Sequence, residues 1–234
     1  MIKPIRITGL ILFLLTLLWV VLMGLSTIAI EPGWGPVDYV KWVSEPSLSY
    51  RLNYINVSVL TLGVVLFFTL LYSYLKQRSE GAALAGLIFV PIYGVMNLIC
   101  YSLQISLVPF LAQAAMGHPE SMHGVSQWIQ ANPASAAGFI NGLAYAVLGI
   151  PSIIFGYLLM AESGKFSGLT LMLNGIFCVI GIIGMMLDIR ILSMGVMVGG
   201  FLFLVSLGCI WFELRSRMPR SSTSGLTSTN KIEN

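Results

Sequence analysis

The chain is short of charge. Of its 234 residues only 9% are Asp, Glu, Lys or Arg, against about 25% in soluble domains. Twelve basic and nine acidic side chains cannot coat a soluble fold of this size. The shortage excludes a soluble enzyme and a nucleic-acid binder, and the 57% apolar content excludes a disordered chain. Cysteine and histidine are scarcer still. Cys100, Cys178 and Cys209 lie far apart inside apolar runs, with no C-x-x-C, so neither a disulfide framework nor a zinc knot is indicated. They read as small buried apolar residues. His118, Glu120 and His123 spell H-x-E-x-x-H, but the histidines are not the i, i+4 pair of a helical metal site and Pro119 intervenes. No metal and no cofactor are expected. The G-x-S-x-G elbow, the Walker loop and the dinucleotide fingerprint are absent, so catalysis is not favoured. It would have to use Asn, Tyr or an outer-loop acid.

Long apolar runs are what the chain does have. Arg6 and Glu31 are separated by 24 uncharged residues. A signal-peptide core is about 7–15 residues and a bilayer span about 20, so this run reads as a retained first transmembrane helix. Charge-free runs predict six spans at about 8–30, 52–75, 82–111, 134–160, 166–187 and 191–212. The third is overlong, with Pro91 inside it and Pro109 near its end, and Pro151 interrupts the fourth. Lipid offers no partner to free backbone groups, so the runs must be helices. The expectation is an all-α, polytopic six-helix bundle over residues 1–217, followed by a disordered tail at 218–234.

The basic residues set an orientation. Lys3, Arg6, Lys76, Arg78, Lys165, Arg215, Arg217, Arg220 and Lys231 fall on the side of the N-terminus, and only Lys41, Arg51 and Arg190 on the other. Lys and Arg accumulate in cytoplasmic loops, which places both termini in the cytoplasm. The tight in-side turns at 76–81 and 161–166 predict two antiparallel hairpins. In the outer loop 31–51, Val37, Val40 and Val43 recur every three residues beside Tyr39 and Trp42, predicting a short helix in the headgroup region. Asn132-Pro133 reads as the cap and first residue of the fourth span.

Small residues form stripes: Gly138, Gly142, Ala146, Gly149 and Gly156 on the fourth span, Gly181 and Gly184 on the fifth, Gly195, Gly199 and Gly200 on the sixth. Such stripes let helices approach closely, either within one bundle or against a second copy or a membrane-protein partner.

No ionised group lies near the middle of a span, which argues against proton coupling, ion pumping and carboxylate chemistry in the membrane. Uncharged polar groups are present and patterned. Tyr93, Asn97, Tyr101 and Gln104 fall at i, i+4, i+8 and i+11 on the third span, one helical face. Asn141 and Tyr145 are i, i+4 on the fourth, and Asn56 begins the second. These seven either line an outward cavity for a small uncharged or amphipathic ligand, or hydrogen-bond across helices to hold the bundle. Asn174 stands alone and reads as structural. Asp188 and Arg190 are i, i+2 and cannot face each other on a helix, so they read as interfacial anchors.

The stretch LLYSYLKQRSEGAALAGLIFVPIYGVMNLI (70–99) resembles a family of bacterial six-helix membrane proteins, domain of unknown function 4386. FINGLAYAVLGIPSIIFGYLLMAESGKFSG (139–168) is similar to that family's fourth helix and tight turn. The resemblance implies a bacterial source, a six-helix fold and a cell-membrane location, and no activity. Many members carry an Arg and a Glu three apart in the third helix. Val90 and Tyr93 stand in those places here, so any role of that charged pair does not carry over. Two functional classes follow: a non-catalytic membrane component whose partners are the bilayer and a second copy or another membrane protein, or a ligand-binding or transporting protein built on the seven polar residues.

Overall fold

The computed structural model describes residues 2–162 and 165–215, so the tail expected at 218–234 lies outside the described residues. Among the described residues there are ten helices and no strand: α1 (Ile2–Thr27), α2 (Pro36–Ser44), α3 (Leu48–Leu75), α4 (Glu80–Ile105), α5 (Leu107–Ala115), α6 (Pro119–Ser126), α7 (Ala136–Glu162), α8 (Lys165–Met186), α9 (Arg190–Ser193) and α10 (Gly195–Arg215). Six of them are long and apolar enough to cross a membrane, counting α9 and α10 as one span: α1, α3, α4, α7, α8 and α9–α10.

Helix ends follow local chemistry. Ser47 caps α3 by accepting from the Tyr50 N–H at 3.2 Å. The start of α7 differs from expectation. Ser135, not Asn132, is the cap, its Oγ accepting from Gly138 N–H at 2.9 Å. Asn132 is spent earlier, on Ala134 N–H and on the Ser126 carbonyl. The overlong third run is two helices. Pro109 has no N–H to give to the Ile105 carbonyl, so α4 ends there and Pro109 falls in the first turn of α5, where no donor is required. The α8–α9 turn contains Asp188 at φ 54°, the left-handed conformation. Ile189 N–H bonds Gly184 O at 2.8 Å and Asp188 N–H bonds Met185 O at 3.4 Å. That pair of bonds is a Schellman cap, with Asp188 where glycine usually sits.

The spanning helices pack in chain order as a closed ring. α1 lies on α3, α3 on α4, α4 on α7, α7 on α8, α8 on α10, and α10 returns to α1. Toward one end the ring's centre is filled with phenylalanine. Phe68 sits 5.6 Å from Phe155 and 6.5 Å from Phe203, with Phe67 at 5.9 Å, all four buried.

Glycine sets the closest approaches. A Cβ on Gly156 would lie 2.6 Å from the Met172 amide nitrogen and 2.7 Å from the Gly168 carbonyl oxygen. One on Gly149 would lie 2.7 Å from the Gly175 carbonyl oxygen. Gly181 and Gly195 meet across α8 and α10 in the same way. These stripes are therefore turned into the bundle, whereas Gly200 has nothing within 4 Å.

The two ends of the ring differ. One gathers the start of α1, the α3–α4 turn, the end of α7, the start of α8 and the end of α10. It is held by an Arg78–Glu162 ion pair at 3.7 Å, by Glu213 accepting from Ser167, and by Arg6 lying over Trp211. Lys3, Arg6, Lys76, Arg78, Lys165 and Arg215 are all at this basic end. The other end carries a cap. The predicted helix α2 forms, and Tyr39, Val40 and Val43 are buried against α5 and α6, while Val37 faces out. Val108, Ala112, Ala115, Met122 and Ile129 complete an apolar cluster that seats this cap on Tyr50, Tyr54, Val57 and Tyr101 of α3 and α4.

Candidate functional site

The α4 stripe is one buried face. Tyr93, Asn97, Tyr101 and Gln104 are each 3% exposed or less. The facing helix α7 brings Asn141 and Tyr145, both half-buried. Asn141 Nδ2 donates to Asn97 Oδ1 at 2.8 Å and to Tyr101 Oη at 3.0 Å. The Tyr101 and Tyr145 hydroxyls are 3.0 Å apart, and the Tyr145 ring lies 6.0 Å from the Tyr93 ring. Tyr93 in turn sits beside Asn97 and beside Thr61 of α3. Five of the seven candidate residues thus form one cluster between α4 and α7.

The other two do not join it. Asn56 turns to α1 and donates to the Leu15 carbonyl at 3.1 Å. Gln104 is one turn above the cluster and bonded through both its oxygen and its nitrogen. Its Oε1 accepts from Tyr50 Oη and from Gln130 N–H, each at 3.2 Å, and its Nε2 donates to the Trp128 carbonyl at 2.7 Å. Gln104 therefore clasps α3 and the loop after α6 to the end of α4. The reason lies in tertiary placement: the backbone following α6 passes directly over this position.

Sequence reading missed the aromatic run above the cluster. Trp34 and Trp42 are 6.4 Å apart, Trp42 and Tyr50 5.2 Å, Tyr50 and Tyr54 4.8 Å, Tyr54 and Tyr101 6.2 Å. A signal was available, since Tyr50, Tyr54, Val57 and Thr61 fall at i, i+4, i+7 and i+11 of α3. These rings fill the space between cap and cluster.

The cluster holds amides and phenols and no carboxylate, imidazole or ammonium. It can exchange hydrogen bonds and cannot hold a fixed charge. Asn97 Nδ2 is buried and makes no hydrogen bond of good geometry, with the Tyr93 side chain beside it. Two cavities lie elsewhere. One of about 270 Å³ at the basic end is lined by Tyr74, Leu75, Gln77, Arg78 and Glu162. One of about 140 Å³ at the α4–α5 break is lined by Leu103, Leu107, Val108, Leu111 and Trp128. Neither is lined by a residue of the cluster. Among the described residues no three His, Cys, Asp or Glu side chains converge, and His118 and His123 belong to the cap, at the start and within α6. Asn174 bonds the Gly199 carbonyl across α8 and α10 at 2.8 Å, as a structural polar group would. No family model, curated protein or solved structure matches the chain.

Proposed function

We propose that the chain is a non-catalytic component of a bacterial cell membrane, with its basic end and both termini in the cytoplasm. It acts by occupying the bilayer and by meeting a second copy or another membrane protein. The observation that carries this reading is how the polar groups of α4 and α7 are spent. Asn97, Asn141, Tyr101 and Tyr145 bond to one another, and Gln104 and Asn56 to backbone and to neighbouring helices. The phenylalanine plug supports it, since the ring's centre offers no polar path. The likeness of 70–99 and 139–168 to the six-helix family belongs to the same proposal and supports the bacterial membrane location. A partner would meet the bundle away from the glycine stripes, which are used within it.

A flux measurement tests this. Proteoliposomes loaded with small neutral solutes should leak no faster than empty vesicles. Flux that saturates with solute and disappears in Asn97→Leu would reverse the conclusion. A second reading, ligand binding at the cluster, has one observation on its side: the buried Asn97 amide nitrogen, which makes no hydrogen bond of good geometry. The orientation has its own check. A fluorescent protein fused after Asn234 should fluoresce, and one inserted at Gly117 should stay dark.

A further inference from the structure

At the basic end, α1 and α10 meet around one indole ring. Arg6, in the second turn of α1, places its guanidinium carbon 5.4 Å from the Trp211 ring centroid. Arg215, the last residue of α10 and one turn beyond Trp211, places its own at 5.5 Å. Two full positive charges thus share a ring. Lys3, exposed, stands one turn before Arg6 on α1.

Among the described residues no negative side chain answers them. The Arg78–Glu162 pair is the ion pair among the described residues, and neither Arg6 nor Arg215 has a carboxylate in range. Glu213, nearby in sequence, accepts from the backbone N–H and hydroxyl of Ser167. Arg6 is half-buried, and its Nε is buried with no acceptor. Stacking on an indole face offsets part of the cost of holding a guanidinium there and leaves its fork of N–H donors free. Such a fork is matched by the oxygens of a phosphate.

The surroundings select the carrier of that phosphate. Arg6 and Arg215 mark the ends of the apolar stretches of α1 and α10, the level of lipid headgroups in a membrane. Next to them in sequence, Ile7 is 50% exposed, Leu10 40% and Phe212 68%. Toward the bilayer centre the seam is shut by Phe13 packing over Gly208. A phosphate on an acylated glycerol satisfies both the cations and the bare apolar surface below them. A free phosphate satisfies only the first. A zwitterionic headgroup would add an ammonium group to a site whose three cations pair with no carboxylate among the described residues. We propose that Arg6, Trp211 and Arg215, with Lys3, form a headgroup site for an anionic phospholipid at the α1–α10 seam.

The test is lipid-dependent thermal unfolding of the full chain in a neutral detergent. Phosphatidylglycerol, phosphatidylcholine and inorganic phosphate are titrated separately. Phosphatidylglycerol should stabilise at lower concentration than phosphatidylcholine, and inorganic phosphate at the same concentration should not. Each basic residue near a membrane surface contributes about fivefold in affinity, so R6Q/R215Q should weaken the phosphatidylglycerol effect about thirtyfold and leave the phosphatidylcholine effect unchanged. K41Q/R51Q, at the opposite end, should match wild type. R215Q alone changes an exposed side chain, so it keeps the test valid if the double variant does not fold, and should show about a fivefold loss. Equal response to the two lipids, an equal response to inorganic phosphate, an unchanged R215Q or an equal loss in K41Q/R51Q would each overturn the proposal.

Discussion

Replacing Asn97 by leucine removes an acceptor from Asn141 but also removes a buried amide nitrogen that makes no hydrogen bond of good geometry. Hydrogen bonds between membrane helices average about 0.6 kcal/mol and reach about 1.7. Asn97→Leu should therefore cost less than about 1 kcal/mol. Tyr101→Phe removes a hydroxyl shared by Asn141 and Tyr145 with no such relief, and should cost about 1–2 kcal/mol. Unfolding midpoints in detergent rank the two. If Asn97→Leu proves the more damaging, its Nδ2 holds a ligand or water, and the second functional reading gains. At the α8–α9 turn, Asp188 is held at φ 54° without the freedom of glycine. Asp188→Gly should raise stability by about 0.5–1 kcal/mol, and Asp188→Val, whose branched Cβ resists the left-handed region, should lower it. Equal midpoints for the two variants would show that the turn relaxes.

Pairs of helices depend on bare backbone. The α7–α8 contact is built on Gly149, Gly156, Gly168 and Gly175, where added Cβ atoms would press on facing backbone rather than on movable side chains. Gly156→Leu should destabilise by about 1–3 kcal/mol or prevent folding, whereas Gly200→Leu, which meets nothing within 4 Å, should leave the midpoint unchanged. Cross-linking in detergent separates this from an intermolecular role. A Gly156→Leu protein that kept its midpoint and lost a dimer band would mean that the stripe serves a second copy. The α4 stripe shows what was legible at this scale. Its four polar residues recur at helical spacing, so their common face could be read directly. Their partners could not, because the register of α7 against α4, and the passage of the Trp128–Gln130 backbone over Gln104, depend on packing among residues far apart in the chain.

Across the molecule, thiols report on the closed ring. Cys100 and Cys178 are buried and Cys209 is half-buried. In the folded protein a maleimide should label Cys209 slowly and the other two not at all, with all three reacting after unfolding. Fast labelling of Cys178 in the folded state would mean that α8 and α10 part readily. The charge asymmetry is also a whole-molecule property. Among the described residues the basic end carries Lys3, Arg6, Lys76, Arg78, Lys165 and Arg215 against Glu80, Glu162 and Glu213, and the capped end is acidic on balance.

The sequence by itself determined the membrane class, the helical character, six apolar spans and the polar face of α4. All of these rest on local quantities, namely the scarcity of charge, the length of apolar runs and the spacing of side chains along one helix. Only the tertiary structure decided that Asn56 turns to α1 and that Gln104 leaves the cluster for α3 and the loop after α6. It likewise decided that the glycine stripes turn inward and that Arg6 and Arg215 converge on Trp211. Those outcomes depend on which helix lies beside which and at what height. The packing of the whole ring sets both.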